Sequence, residues 1–228
     1  MLKFAPILLA IAYGILMMRF SLWRTKATLD AQSTVLVDTG VSAVTNRLAQ
    51  ALDLPALPVH VYEIEAVNGL AAPDGRIFLT RGFLRKHANG EVTSEELASV
   101  IAHELGHVAL GHTRRRMIDF TGQNAVFIML SALLNRFIPF VGTWIANLIS
   151  TALVARMSRR DEFEADAYAA ALLVKSGIGT APQVTLFRKL NALTGQQGSG
   201  PPAWLLSHPK VEDRIAAIEV LTHRWTGD

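Results

Sequence analysis

The stretch Val100-Ile-Ala-His103-Glu104-Leu-Gly-His107-Val108 sets the pattern H-E-x-x-H inside an apolar, helix-patterned run, and no other part of the chain restricts the fold as tightly. Residues four apart share one face of a helix, so the imidazoles of His103 and His107 converge on a point where a metal ion can bind. Glu104 stands beside the first imidazole, placed to take a proton from metal-bound water. Zinc lowers the pKa of such a water to about 7, which supplies a nucleophile for amide hydrolysis at neutral pH. The helix is independently signalled. Thr93 with Glu96 forms a capping box ahead of Leu97, Val100, Ile101, Glu104 and Val108, and a helix is expected over about 94–112. Gly106 costs about 1 kcal/mol in a helix interior relative to Ala. The helix is therefore expected to approach another backbone or the metal closely at that point.

A catalytic zinc takes three protein ligands and keeps a fourth position open for water. The third is sought in Ser158-Arg-Arg-Asp161-Glu162-Phe-Glu164-Ala-Asp166-Ala-Tyr-Ala, where Ser158 with Asp161 resembles a helix start and the Ala-rich continuation favours helix. Glu162 and Asp166 are four apart and share a face, whereas Glu164 lies about 200° from Glu162. Glu162 is the expected third ligand of one zinc ion per chain. Asp166, a turn further on, is expected to accept the N–H of a ligating imidazole and fix its tautomer. Glu164 is assigned to a solvated acidic face. His112 lies about 140° around the helix from His107 and should miss the metal; the metzincin spacing would instead need a His at Thr113. His60, His87 and His223 lack partners in the sequence and are expected to be surface or packed residues.

These residues carry a family resemblance. H-E-L-G-H at 103–107, S-R-R-D-E-F-E-A-D at 158–166 and S-H-P-x-x-x-x-R at 207–214 resemble the HtpX-like and CAAX prenyl protease-like zinc metallopeptidases, a membrane-associated gluzincin family. The resemblance covers about residues 55 to 222. Its E-x-x-x-D element matches Glu162 and Asp166. It implies that His208 and Arg214 approach the zinc site, where either could stabilise a developing oxyanion; read without it, His208 is a capping residue ahead of Pro209. It also gives the family's Asn-containing edge strand a counterpart in Val67-Asn68-Gly69-Leu70-Ala71, followed by Ala-Pro-Asp-Gly75-Arg-Ile-Phe-Leu-Thr80. Substrate main chain would pair with that edge over the zinc. The chain is shorter than the prenyl proteases and has far fewer apolar spans.

Half of the 228 residues are hydrophobic and the mean hydropathy is +0.29, which points to membrane contact. Net charge is only +3, too small to argue for nucleic acid as a partner. There is no cysteine, so disulfides and thiolate metal sites are excluded. Phe4 to Met18 is apolar, with Lys3 before it and Arg19, Arg24 and Lys26 after it. It reads as an uncleaved anchor that runs to about Trp23 with Arg19 snorkelling, or that sits shallowly. A second apolar region, Ala125 to Ala155, contains Asn135-Arg136 and Pro139-Phe-Val-Gly142 and reads as two helices of about 15 residues joined by a turn. It either enters lipid or packs on the catalytic core. Arg114, Arg115 and Arg116 precede it, and Arg156, Arg159 and Arg160 follow it. Such flanks suit an anionic lipid surface and a cytoplasmic catalytic domain, with the periplasmic side left open.

Residues 28–52 carry an amphipathic pattern through Val37, Val41, Val44, Leu48 and Leu52, ended by Pro55 and Pro58. Val59 to Ile64 alternates like a strand, and Gly75 divides a hairpin or looped pair that ends on Arg76–Thr80. Gly195 to Pro202 is a Gly- and Pro-rich connector, and a helix bearing Val211, Ile215, Ile218 and Leu221 follows. The fold expected is mainly α with a small β-sheet, an α+β zincin-like metallopeptidase. Residues 1–26 form the membrane anchor and 27–228 the peptidase domain, with an apolar hairpin at 120–157 inserted between the ligand helices. The chemistry expected is zinc-dependent endopeptidase action on polypeptides, membrane or misfolded proteins among them, in membrane protein quality control or processing. A non-proteolytic membrane-bound chaperone or scaffold that keeps the fold is the alternative.

Overall fold

The computed structural model describes residues 5–112, 127–139, 141–194 and 211–226. Helix α1 covers Ala5–Ala31, strand β1 Ser33–Val35, α2 Thr39–Ala51, β2 Val59–Tyr62, β3 Gly69–Ala71, β4 Ile77–Thr80, α3 Arg81–Ala88 and α4 Ser94–Ala109. Residues 127–137 form helix α5. Helix α6 covers Val141–Lys175, α7 Ala181–Thr194 and α8 Val211–Thr226. The expected mainly helical fold with a small sheet is thus what is seen. The chain divides into two compact units, one of Met1–Ala31 with Thr113–Met157, the other of Gln32–His112 with Ser158–Asp228.

In the second unit the sheet has the order β1-β2-β4-β3. β2 and β4 run parallel, with Val59 opposite Ile77, while β1 and β3 are antiparallel to their neighbours. β4 is internal and buried throughout, which explains its continuous apolar run. The expected hairpin is β3–β4. Gly75, at φ 88°, closes it with its N–H on the Ala72 carbonyl at 2.9 Å. β1 was not foreseen. The amphipathic helix begins only at Thr39, because Asp38 accepts the Val41 N–H at 2.8 Å and caps a fresh helix there. The core joins the sheet to α2, α4, α7 and α8 through Leu48, Leu79, Leu97, Ile101, Leu186 and Ile218, all at most 1% exposed. Each such side chain contributes about 1.5–3 kcal/mol on burial.

Three expectations are corrected. α4 stops at Ala109 with Leu110 as its cap, short of residue 112, because Gly111 adopts a left-handed φ of 69° and donates to the Val108 carbonyl at 3.1 Å. Ser158 does not start a helix. α6 runs unbroken through 35 residues, since between Gly142 and Lys175 the sequence holds neither Pro nor Gly. Finally, among the described residues no helix is long and apolar enough to cross a membrane. In α1 the charges of Arg19, Arg24, Lys26 and Asp30 fall within one helix.

Candidate metal centre

α4 presents the two histidines because its start is fixed. Thr93 accepts the Glu96 N–H at 3.1 Å while Glu96 accepts the Thr93 N–H at 2.9 Å, the expected capping box. Lys189 of α7 then pairs with Glu96 at 2.8 Å. Gly106 meets the expectation of a close neighbour. A Cβ there would lie 3.0 Å from both the Cα and the carbonyl oxygen of Ala165, so α4 and the second half of α6 pack backbone to backbone.

That approach carries Glu162 to the imidazole pair. The Nε2 atoms of His103 and His107 are 3.1 Å apart, and Glu162 sets Oε2 3.4 Å from the first and Oε1 3.4 Å from the second. The rings meet edge to face, at 89°. All three residues are at least nine-tenths buried. A tetrahedral zinc with bonds of about 2.0–2.1 Å needs donors about 3.3 Å apart, close to the separations seen. Two imidazole nitrogens and a carboxylate turned toward one another therefore suit a divalent cation.

Behind these donors each imidazole has a partner at Nδ1. His103 Nδ1 lies 2.9 Å from Asp166 Oδ1, the contact read from the four-residue spacing of Glu162 and Asp166. Arg214 of α8 donates from Nε and Nη2 to the two Asp166 oxygens, both at 2.6 Å, and its guanidinium carbon stands 4.3 Å from the Phe187 ring centroid. Arg214 thus reaches the site, where its Nη2 also lies 3.4 Å from His103 Nδ1. The Asp166–Arg214 pair forms a clamp, because a carboxylate buried to 1% exposure requires a countercharge. Burial, the largest single effect, would raise the Asp166 pKa; the charge and hydrogen bonds of Arg214 together with those of His103 outweigh it and hold it below the usual range. Burial likewise pulls His103 down, and the Asp166 and Glu162 carboxylates reverse this, raising it to about 9.

His107 finds its partner in His112, with Nδ1 to Nδ1 at 3.0 Å. The expectation that His112 misses the metal stands beside a contact that the sequence reading missed. An angle measured on an ideal helix fails here because the helix has ended, and the Gly111 turn folds His112 back. Glu164 is not simply solvated either. It accepts from Arg160 at 2.8 Å and lies 3.2 Å from His112 Nε2, and the Arg160 hydrogen bond holds its pKa down. His87 packs with Nδ1 on the Val92 carbonyl at 2.7 Å, and His60 lies against Phe78. His208 and the Gly195–Pro202 connector lie outside the described residues.

Glu104 points to the sheet edge. It is 8% exposed, and its Oε1 would lie 3.7 Å from a Cβ built on Gly69. A cavity of about 30 Å³ opens there, lined by Asn68, Gly69, Val100, His103, Glu104 and Phe187 among others. Leu70 and Ala71 continue β3, the edge strand. Thr80 pins its start: the Asn68 N–H and carbonyl both bond to the Thr80 hydroxyl, each at 3.0 Å. Glycine at 69 is needed for this approach, since a Cβ would fall 2.4 Å from Val100 Cγ1.

Residues 36–222 match the family described as Peptidase family M48. The chain is 30% identical over 181 residues to Metalloprotease LoiP of Escherichia coli (strain K12), covering 78% of this chain and 70% of that protein. It is 27% identical over 234 residues to a Protease HtpX homolog of Janthinobacterium sp. (strain Marseille), covering 87% and 77%. With the mitochondrial Metalloendopeptidase OMA1 of Homo sapiens it shares 23% identity over 170 residues, which is 72% of this chain and 32% of that protein. With a family match over most of its length, and with two histidines and a glutamate gathered as a metal-binding set, the chain belongs to peptidase family M48 and is a metalloendopeptidase.

Proposed function

We propose that this metalloendopeptidase works with one zinc ion held by His103, His107 and Glu162, and that it cleaves polypeptides laid along β3. The observation that carries this is the Glu104 carboxylate, which lies beside Gly69 of the edge strand and lines one cavity with His103. Zinc bound there would supply Lewis acidity toward water and the scissile carbonyl. Glu104 takes the proton from water and passes it to the leaving amine. Asp166, clamped by Arg214, holds the His103 ring and its tautomer. β3, the outer strand of the sheet among the described residues, offers Asn68, Gly69, Leu70 and Ala71 to an extended substrate, with Gly69 beside Glu104.

Lipid contact and a role in processing or quality control of membrane proteins complete the proposal. The first unit supports the former: Phe20, Trp23, Ile128, Met129, Phe137 and Trp144 are each more than half exposed, an apolar display that suits lipid better than water. The test compares the native chain with Glu104→Gln and Glu162→Ala on an unfolded membrane protein presented in vesicles, with bound zinc measured in each. Glu104→Gln is expected to retain zinc and lose cleavage by 10²-fold or more, and Glu162→Ala to lose zinc. Cleavage by Glu104→Gln at the native rate removes Glu104 from the chemistry. Full zinc retention by Glu162→Ala removes the third ligand.

A further inference from the structure

We propose that His112 is a positioning residue for the metal centre: it sets the tautomer of His107 and is in turn held by the carboxylates of Glu164 and Asp161. The inference rests on the reading of His107 as a metal ligand. The contacts form a line. His107 Nδ1 lies 3.0 Å from His112 Nδ1, and on the far side of that ring His112 Nε2 lies 3.2 Å from Glu164 Oε2 and 3.8 Å from Asp161 Oδ1. His112 is 0% exposed and Asp161 3%, so the line is buried as far as its outer end at Glu164, which is 35% exposed.

Two ring nitrogens at this distance hold one proton between them, one as donor and the other as acceptor. The ends of the line fix which is which. Ionised carboxylates only accept, so His112 carries its proton on Nε2 and turns a lone pair at Nδ1 toward His107. His107 must then hold its proton on Nδ1. Its Nε2 is left with a lone pair facing His103 Nε2 and Glu162, which is the form that can bind a metal. His107 thus receives from His112 what His103 receives from Asp166. A neutral ring serves here in place of a second buried anion beside the ligands.

His112, Asp161 and Glu164 also bring donor atoms within 4.8 Å of one another, as a second metal-binding group would. The protons argue against a second ion. A cation on His112 Nε2 drives the proton of that ring to Nδ1, where it points at His107 Nδ1 and forces His107 to ligate as an imidazolate. Glu164 is moreover already bonded to Arg160 at 2.8 Å.

The test uses the full chain loaded with zinc. Affinity is read by competition with a chromophoric chelator for the native protein, His112→Phe and His112→Asn, and ring tautomers by long-range proton–nitrogen spectra of the native protein. His112→Phe, which fills the space without an acceptor, is expected to weaken zinc binding about 10–100-fold. His112→Asn sets an amide oxygen near the Nδ1 position and is expected to recover most of that loss, which a purely space-filling role would not produce. The spectra are expected to show His107 protonated at Nδ1 and His112 at Nε2, and they decide the matter if His112→Phe does not fold. Native zinc affinity in His112→Phe, or a proton on Nδ1 of His112, overturns the proposal. So does a second zinc per chain that is lost in both His112 variants. A native chain that binds no zinc at all overturns the ligand reading itself, and this inference with it.

Discussion

Gly106→Ala isolates the contact that joins the two halves of the candidate metal centre. The added methyl would sit 3.0 Å from the Cα and carbonyl oxygen of Ala165 and 3.3 Å from the Tyr168 Cβ. None of these atoms can rotate away, since they belong to the α6 backbone or are bonded directly to it. Restoring an ordinary carbon separation of about 3.5 Å or more requires the helices to part by about 0.5 Å. Two energies then compete: alanine gains about 1 kcal/mol over glycine in a helix interior, and overpacking costs about 1–3 kcal/mol. The net loss of stability is therefore small, about 0–2 kcal/mol. The site is far less tolerant. His103 and His107 ride on α4 while Glu162 and Asp166 ride on α6, and metal sites hold their distances to about 0.2 Å. At about a hundredfold per Å of misplacement, cleavage is expected to fall about tenfold, with zinc affinity falling alongside it. Denaturant unfolding, chelator competition and turnover of a quenched peptide measure the three quantities on one preparation. A variant with a raised melting temperature, native zinc affinity and native turnover would refute the close packing on which the reasoning depends.

Arg214→Met leaves the Asp166 carboxylate buried without its guanidinium, and is expected to cost about 3–5 kcal/mol in urea unfolding. Arg214→Lys should recover only part of this, because an ammonium cannot span both Asp166 oxygens; a loss below about 1 kcal/mol for the methionine variant would contradict the clamp. Thr93→Ala removes one arm of the capping box, and is expected to lower stability by about 1 kcal/mol with zinc affinity unchanged. A large fall in zinc affinity there would mean that the helix start, and not only the α4–α6 packing, positions the ligands.

Local signals in the sequence were read correctly wherever the structure made local use of them. The capping box of Thr93 and Glu96 starts α4 where expected, Gly75 turns the β3–β4 hairpin, and alternation marks β2. What failed depended on distant partners or on a missing stop signal. β1 is three residues long and exists because β2 offers it an edge, which three residues of sequence cannot announce. Ser158 looked like a cap, yet nothing upstream of it ends α6, so its polar side chain simply rides on a continuing helix.

The candidate metal centre divides along the same line. That His103, His107, Glu162 and Asp166 come together was legible because each pair lies four apart on an intact helix, where spacing alone fixes the shared face. Arg214 and His112 were legible as candidates but not in their contacts. The resemblance brings Arg214 to the site; only the burial of Asp166 to 1% exposure shows that its carboxylate needs that guanidinium as a countercharge. For His112 the deciding residue was Gly111, whose left-handed φ of 69° ends the helical geometry on which the 140° argument stood. A glycine just after a periodic run is a helix stop. Taken as one, it would have freed His112 to turn back toward the His107 ring. The two imidazoles are thus backed by unlike devices, an ion pair reached from α8 and a ring returned by a turn, and the first of these needs a fold that no local spacing contains.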